Sequence, residues 1–128
     1  SSIGQAAAVA ALNGPQDHIA VRREEFRRRR DMVVGMLNQA QGVECLTPEG
    51  AFYVFPSCAG TNGKVTPDGE HIESEFDFCK YLLDSVGVAV IPGSDFGVPD
   101  HFRISYAYAE ESLREACTRI EQACGALK

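Results

Sequence analysis

Two short apolar runs in the last third of the chain have the pattern of β-strands. Residues 88–91 form a continuous apolar run bounded by glycine and proline, which is too short for an independent helix and suits a buried strand. Residues 102–106 alternate instead, so that the even-numbered residues, all aromatic or aliphatic, share one face. Arg103 therefore lies on a predicted strand and faces away from its apolar side.

The first 42 residues are predicted to form two helices. The first is rich in alanine, with Ser2 as its N-cap and Asn13-Gly14 as its end, and its small side chains indicate close packing against a neighbour. The second spans residues 15–41 and is closed by Gly42. Its apolar stripe has a heptad-like spacing and consists of Ile19, Phe26, Val33, Met36 and Leu37.

Two later helices have clearer end signals. Ser74 is the predicted N-cap of the third helix and Gly87 ends it, while acids in its first turn complement the helix dipole. Its apolar stripe consists of Phe76, Cys79, Leu82, Leu83 and Val86. The fourth helix spans residues 110–127, and its apolar stripe consists of Leu113, Ala116, Cys117, Ile120, Cys124 and Leu127. Its polar side pairs Glu110 with Arg114 and Glu115 with Arg119 at the supportive spacing of four.

The middle of the chain is predicted to supply two more strands and a long loop. The strands are residues 43–46 and 51–55, and the second has apolar side chains on both faces, so we expect it to be covered on both sides. Residues 56–73 form a polar loop of a length that is usually functional, inserted or mobile. Strands mixed with helices predict an α+β fold: a small antiparallel or mixed sheet with helices packed on one face.

Composition and charge narrow the class of protein. The chain has 128 residues, enough for one domain with a core, and 45% of them are hydrophobic. A formal net charge of −6 argues against a general binder of nucleic acid or of anionic membranes. Acids interrupt the arginine-rich residues 22–30, so we expect a solvated helix face with local ion pairs. Neither a membrane span nor a signal peptide is recognisable, and we expect a cytoplasmic protein.

Cysteine and histidine suggest no catalytic or metal chemistry. The five cysteines are odd in number and have neither a CxxC motif nor a zinc-ligand spacing. Three of them fall at apolar helix positions, where a thiol behaves as a small buried hydrophobe: Cys79, Cys117 and Cys124. The histidines lack a Cys, Ser or Asp partner at a diagnostic spacing; they are His18, His71 and His101.

Arg103 is the side chain whose position favours a functional interpretation. A guanidinium is always charged, and its planar fork of donors fits a carboxylate or a phosphate with two parallel hydrogen bonds. Two interpretations follow from the residues alone. Arg103 is either an anion-binding group or a strand arginine paired with one of the many acids of this chain.

The order of motifs favours the first interpretation. GAFYVFP, a helix, GVAVIPGSDFG, FRISYA and a final amphipathic helix together resemble the C-terminal part of the class I aminotransferases of the aspartate aminotransferase type. The insertion after FPSCAG is similar to that of one bacterial branch, and the resemblance covers essentially the entire chain. It implies the small C-terminal domain of a fold-type I enzyme that uses pyridoxal phosphate. It also implies that Arg103 grips the α-carboxylate of the substrate and that Phe52 lines the mouth of the substrate pocket.

The resemblance also implies how the chain is divided. Residues 1–14 would be a helix leading from a large domain that is missing here, residues 15–41 a long interdomain helix, and residues 42–128 the small α+β domain. The substrates would be an amino acid, aspartate foremost, and a 2-oxo acid. The large domain of the same enzyme would be the partner, the full-length protein would be a homodimer, and neither nucleic acid nor a membrane would be involved.

The cofactor that the resemblance implies is pyridoxal 5'-phosphate, whose lysine would lie outside this chain. The lysines here are Lys64, Lys80 and Lys128, and none lies in a motif like the family's cofactor-lysine segment. We therefore assign no catalytic, cofactor-binding or metal-binding residue to this segment, and we expect the isolated segment to have no transaminase activity.

Two alternatives stay open. One is a non-enzymatic α+β module, such as a ferredoxin-like regulatory domain that binds an amino acid or anion through Arg103. The other is a different fold-type I pyridoxal-phosphate enzyme, such as a C–S lyase or a synthase, which shares the carboxylate-binding arginine.

Overall fold

Four helices and a three-stranded sheet make up the chain in the order ααβαββα. The computed structural model describes residues 1–128. The helices are α1 (Ser2–Asn13), α2 (Asp17–Leu37), α3 (Glu75–Val86) and α4 (Glu110–Ala126). The strands are β1 (Tyr53–Val54), β2 (Ile91–Pro92) and β3 (Phe102–Ser105), and short 3₁₀ turns cover Ala59–Thr61 and Gly93–Phe96. The predicted α+β class is confirmed.

The sheet is antiparallel and β3 is its central strand. The strand order is β1-β3-β2, with Val54 opposite Ile104 and Ile91 opposite Arg103. The central strand has the alternation that the sequence predicts, because Phe102 is fully buried whereas Arg103 is only partly buried. β3 therefore fixes the position of Arg103 by pairing on both of its edges.

The core lies between the sheet and the helices. The ring of Phe102 packs against that of Phe78 from α3, with ring centroids 5.5 Å apart. Tyr106 is 2% exposed, and its hydroxyl donates a hydrogen bond of 2.9 Å to the carbonyl of Ala51. Burying an aromatic side chain of this size contributes about 1.5–3 kcal/mol, so these contacts tie the central strand to the helices. From α4, the buried residues are Leu113, Cys117, Ile120, Ala123 and Cys124.

Local end signals place α3 as the sequence predicts. The Ser74 hydroxyl accepts a hydrogen bond from the backbone N–H of Asp77, while the Asp77 carboxylate accepts one from the N–H of Ser74, which completes a capping box. Gly87 ends the helix in the left-handed conformation with φ of 66°. These caps fix the direction in which α3 enters and leaves the core.

Two predicted strands are largely absent, for identifiable reasons. Residues 43–46 contribute one isolated bridge, between Glu44 and Ser57, because the side-chain amide of Asn38 binds both the N–H (2.8 Å) and the carbonyl (2.9 Å) of Cys45. In residues 88–91, regular pairing begins only at Ile91. The N–H of Val88 is instead bonded to the carbonyl of Leu82, at the end of α3.

The predicted helix bounds and stripes need three corrections. Helix α1 begins at Ser2, so its N-cap is Ser1, whose side chain makes no capping bond. Helix α2 ends at Leu37, and the turns that follow it carry the chain to Gly42, which has a φ of 86°. On α3 the buried aromatic is Phe78, whereas two residues of the predicted stripe, Phe76 and Leu83, are exposed. The buried face is rotated because Phe78 packs on Phe102.

The N-terminal helices leave much of their apolar surface exposed. None of the residues of α1 is buried, and Ile3 and Leu12 are 82% and 79% exposed. In α2 burial begins in the second half of the helix, whereas Ile19, a member of the predicted stripe, is 49% exposed. Within residues 1–128, no element buries the alanine-rich helix against itself as the sequence predicts.

Surface ion pairs follow the predicted charge pattern. On α2 the Arg27 and Glu24 side chains lie 2.7 Å apart, and Arg28 reaches Glu110 of α4 at 3.3 Å. Both predicted pairs on α4, Glu110 with Arg114 and Glu115 with Arg119, are present. Because these groups are largely exposed, solvent screens the pairs and each contributes little to stability. None of the four helices combines the length and the apolar composition that a membrane crossing requires.

All five cysteines are free thiols and all are buried, including the three that the sequence places on apolar helix positions. Burial disfavours the thiolate and raises the pKa of Cys58 and of Cys79 to about 12. The same cause raises the pKa of Cys45, Cys117 and Cys124 to about 11.

We expect the buried thiols to react slowly with thiol reagents in the folded protein and to make the fold sensitive to high pH. At pH 8, Ellman's reagent should label the folded protein very slowly and should label all five thiols once guanidinium unfolds it. An unfolded thiol ionises near pH 8.5, whereas the folded ones stay neutral. The contribution of the thiols to the free energy of unfolding should therefore be constant below about pH 8 and fall as the pH rises towards 11 or 12. Rapid labelling of the folded protein would contradict this arrangement.

Candidate functional site

Arg103 projects from the central strand towards two aromatic rings. The carbon at the centre of its guanidinium lies over the ring of Phe96, 4.3 Å from the centroid, and over the ring of Tyr53, 5.2 Å from the centroid. Tyr53 belongs to the neighbouring strand β1, and Phe96 to the 3₁₀ turn that follows β2. Cation–π contacts of this kind stabilise a partly exposed arginine by about 0.5–1 kcal/mol each.

No acid of this chain neutralises Arg103. The chain has six ion pairs, and Arg103 takes part in none of them. Its guanidinium also makes no hydrogen bond, so its donors are available to a ligand. The interpretation of Arg103 as a strand arginine paired with a local acid is therefore wrong. A partly buried, unpaired guanidinium is suited to binding a carboxylate or a phosphate in a bidentate manner.

Phe96 belongs to a small aromatic cluster, which we define as Phe55, Phe96 and His101. The edge of Phe55 meets Phe96 with centroids 6.0 Å apart, and Phe55 stacks on the imidazole of His101 at 5.5 Å. The Nδ1 atom of His101 lies 2.7 Å from the carbonyl of Pro99. His101 thus has a packing role, and it contacts no serine, cysteine or acid through a hydrogen bond.

A buried carboxylate anchors the loop that carries Phe96. Glu75, the first residue of α3, is 3% exposed. Its Oε1 accepts hydrogen bonds from the hydroxyl of Ser94 and from the N–H of Ser94 at 3.3 Å, and its Oε2 accepts one from the N–H of Asp100 at 3.1 Å. These bonds, that of the Ser94 hydroxyl first, hold the pKa of Glu75 below its usual value. Glu75 thus connects both ends of the 94–100 segment to α3.

Close backbone packing fixes the beginning of the same loop. The N–H of Gly93 donates to the carbonyl of His101 at 2.7 Å, and the N–H of Val98 donates to the carbonyl of Gly93 at 3.1 Å. A Cβ at position 93 would lie 2.2 Å from the carbonyl oxygen of Val98 and 2.7 Å from that of His101. Only glycine fits where the loop folds back this closely on β3.

The polar loop of residues 56–73 is connected to the far end of this site. The side-chain amide of Asn62 donates to the Asp100 carboxylate at 2.8 Å, and the N–H of Cys58 donates to the Asp100 carbonyl, also at 2.8 Å. Asp100 itself has a positive φ of 59°. Thr61 and Ile72 within this long loop are buried, so it forms part of the domain's core.

Phe52 lies near Arg103 but is connected to it through Tyr53. The Phe52 and Tyr53 rings meet edge to face at 5.4 Å, and Phe52 is 52% exposed. The expectation that residues 51–55 are covered on both sides is wrong, because Val54 is buried while its neighbours Phe52 and Tyr53 are exposed. The exposed aromatic surface of β1 therefore lies beside the unpaired guanidinium.

Arg103 also borders an open cleft of about 400 Å³ between β3, the 87–91 segment and the N-terminal half of α4. Its walls are mostly apolar, and its polar margin includes Ser105, Tyr108 and the paired Glu115 and Arg119. None of the three lysines lines this cleft. Lys80, for example, is an exposed residue of α3 paired with Asp84 at 3.0 Å.

Sequence reasoning identified Arg103 but missed the residues that surround it. Tyr53 and Phe96 were assigned no role, and Glu75 was interpreted only as a first-turn acid of α3. The one sequence signal for Phe96 is its place in the turn-rich connector between two strands. Glu75 carries no local signal, because its bonding partners lie 19 and 25 residues further along the chain.

Comparison with known proteins gives one consistent family. The family model described as aminotransferase class I and II matches residues 1–120. The chain is 58% identical to an aspartate aminotransferase of Rhizobium meliloti over 99% of its own length and 31% of the relative's. It is 53% identical to an aspartate/prephenate aminotransferase of Cereibacter sphaeroides, over 98% of this chain and 32% of the relative.

Structural comparison agrees. The crystal structure of the aspartate aminotransferase from Rhizobium meliloti superimposes with a TM-score of 0.97 at 57% identity, over 100% of this chain and 32% of that one. The chain thus spans about a third of the length of the relatives that it matches.

We expect Gly93→Ala to disrupt the loop that carries Phe96. The added Cβ collides with backbone atoms, so the free energy of unfolding should fall by about 3 kcal/mol or more. Gly35→Ala is the matched control, since a Cβ on that exposed residue of α2 meets nothing within 4 Å and should stabilise the helix by about 0.5–1 kcal/mol. Urea unfolding of both variants measures the difference, and equal stability would contradict the close approach at position 93.

Proposed function

The chain belongs to the class I and II aminotransferases, and on that premise we propose that it is the small-domain part of a pyridoxal-phosphate-dependent aminotransferase in which Arg103 binds the substrate's α-carboxylate. The observation that carries this proposal is the unpaired guanidinium on the central strand, flanked by Tyr53 and Phe96. Arg103 occupies the position in the FRIS motif that the family resemblance assigns to carboxylate binding.

A carboxylate supplies what the site lacks. It presents two acceptor oxygens to the donor fork and neutralises a charge that no acid of the chain neutralises. Hydrogen bonds between charged groups are each worth about 1.5–3 kcal/mol. Binding at one fixed end of an amino acid also orients the rest of the molecule, and orientation of the Cα–H bond is the part of catalysis that this chain contributes. Phe52, at the exposed edge of β1, lines the entrance to the same pocket.

The cofactor belongs to a different part of the enzyme. Pyridoxal phosphate is the group that the family implies, and it needs a lysine to hold it. The lysines of this chain do not fit that requirement, because none lines the Arg103 cleft and Lys80 is engaged with Asp84 on the surface. No catalytic or cofactor-binding residue is therefore assigned to this segment, and residues 1–128 alone have no transaminase activity.

The exposed helices are the proposed contact with that other part. Residues 1–14 connect to the large domain and residues 15–41 form the interdomain helix, which is supported by the complete lack of burial in α1 and by Val21, 63% exposed in α2. Residues 42–128 form the small domain, although the last turns of α2 also belong to its core through Val33 and Leu37. The full-length enzyme is a cytoplasmic homodimer in this proposal.

The proposed amino donor is aspartate and the acceptor is a 2-oxo acid, in keeping with the names of the relatives. Beside Arg103, the cleft offers one further guanidinium, that of Arg119, which is already paired with Glu115. The second carboxylate of aspartate is therefore assigned to residues outside this segment. The family match argues against an unrelated regulatory module, and another fold-type I enzyme is the remaining competitor.

We expect Arg103→Lys in the full-length enzyme to impair the reaction with aspartate. Lysine keeps the positive charge but loses the planar fork, so kcat/KM should fall by an amount equivalent to about 2–3 kcal/mol. Steady-state kinetics with aspartate as the amino donor measures the change.

The matched control is Arg114→Lys, on the exposed side of α4, where the charge partner is Glu110 at 2.9 Å. This variant should change kcat/KM by less than about twofold. If Arg103→Lys behaves like the control, Arg103 does not bind the substrate.

A further inference from the structure

We propose that Phe96 is a positioning residue for Arg103 and that the buried carboxylate of Glu75 is what holds Phe96 in place. This inference rests on the proposed function, in which Arg103 binds a carboxylate. It assigns to Phe96 and Glu75 a role that is exerted through the guanidinium of Arg103.

Phe96 makes the shorter of the two cation–π contacts of Arg103. The guanidinium carbon lies 4.3 Å from the Phe96 centroid, compared with 5.2 Å for Tyr53, and within residues 1–128 no ion pair holds the group. A free arginine side chain has a rotamer entropy of about 2 kcal/mol to lose when it binds a ligand. A ring that holds it beforehand reduces that loss and improves binding without touching the ligand.

Phe96 cannot hold this position by burial. Its side chain is 45% exposed, and its recorded aromatic contact is with the edge of Phe55. What locates it is the loop, whose two ends are both bonded to Glu75 through Ser94 and Asp100. Phe96 therefore lies between two points of the chain that are bonded to one carboxylate.

The burial of the Glu75 carboxylate without a cation partner supports its role in positioning the loop. Burying a charged group is unfavourable unless partners compensate it, and Glu75 has no cation partner among the ion pairs of the chain. Hydrogen bonds from two N–H groups and one hydroxyl compensate its charge, and all three donors belong to the loop. An exposed loop that served only as a connector would not require a buried carboxylate for its position.

The test is a double-mutant cycle in the full-length enzyme. Phe96→Leu removes the aromatic ring but keeps an apolar side chain, and Phe96→Tyr keeps the ring. Phe76→Leu is the matched control, because Phe76 is an exposed phenylalanine of α3, 51% exposed, with no recorded cation–π contact. Each of these three substitutions is made in the wild-type enzyme and in the Arg103→Lys variant. The measured quantities are KM and kcat for aspartate and the inhibition constant of succinate.

Phe96→Leu should raise KM for aspartate and the inhibition constant of succinate by about two- to fivefold, with kcat nearly unchanged. Phe96→Tyr and Phe76→Leu should resemble the wild type. In the Arg103→Lys background Phe96→Leu should have almost no further effect, since the group that it positions is gone. A role in stability alone would affect both backgrounds equally.

Glu75→Gln tests the second half of the inference. An amide has one acceptor oxygen, so the N–H groups of Ser94 and Asp100 cannot both keep the acceptor that Glu75 gives them. The variant should therefore reproduce the rise in KM and its suppression by Arg103→Lys. If Glu75→Gln lowers the melting temperature but leaves KM unchanged, Glu75 does not act on Arg103.

Two further results distinguish a failure of the positioning role from a failure of the proposed function. If Arg103→Lys lowers kcat/KM while Phe96→Leu has the same effect in both backgrounds, the positioning role is wrong and the proposed function stands. If Arg103→Lys changes nothing, the proposed function and this inference are both wrong.

Discussion

The two-residue period of β3 is the constraint on which the rest of this structure depends. One face of the strand carries Phe102 and Tyr106 into the core, so the strand cannot shift by one residue without exposing both aromatics. The same period directs Arg103 to the opposite face. Because β3 is hydrogen-bonded on both edges, the position of the guanidinium is determined by the most firmly held strand of the domain.

The chemistry of the site follows from the lack of an acidic partner for the charge of Arg103. The arginines that form ion pairs all lie on helices and are exposed or partly exposed. Their acidic partners lie within a turn or on the neighbouring helix. Arg103 has aromatic rings as neighbours instead, and these stabilise a cation without occupying its donors. A site of this composition is stable when empty and still able to bind an anion.

Features set by neighbouring residues were predictable from the sequence, and features set by distant contacts were not. The capping box at Ser74, the left-handed Gly87 and the alternation of β3 each depend on a few adjacent residues, and all are found. The strand at residues 43–46 was wrongly predicted because a side chain, Asn38, takes the place of a strand partner. The link from Glu75 to Phe96 was invisible because it joins a helix start to a loop two elements later.

The hydrogen bonds of Glu75 also hold both ends of the 94–100 segment against one helix. The two oxygens of its carboxylate accept hydrogen bonds from the N–H groups of Ser94 and Asp100, so α3 holds two points of the loop that are separated by five residues. These two bonds come from the backbone, so a substitution of a side chain between the two points leaves their donors in place. An insertion or deletion between these two points would move the ring of Phe96 relative to the guanidinium of Arg103, because both ends of the segment are bonded to the same side chain.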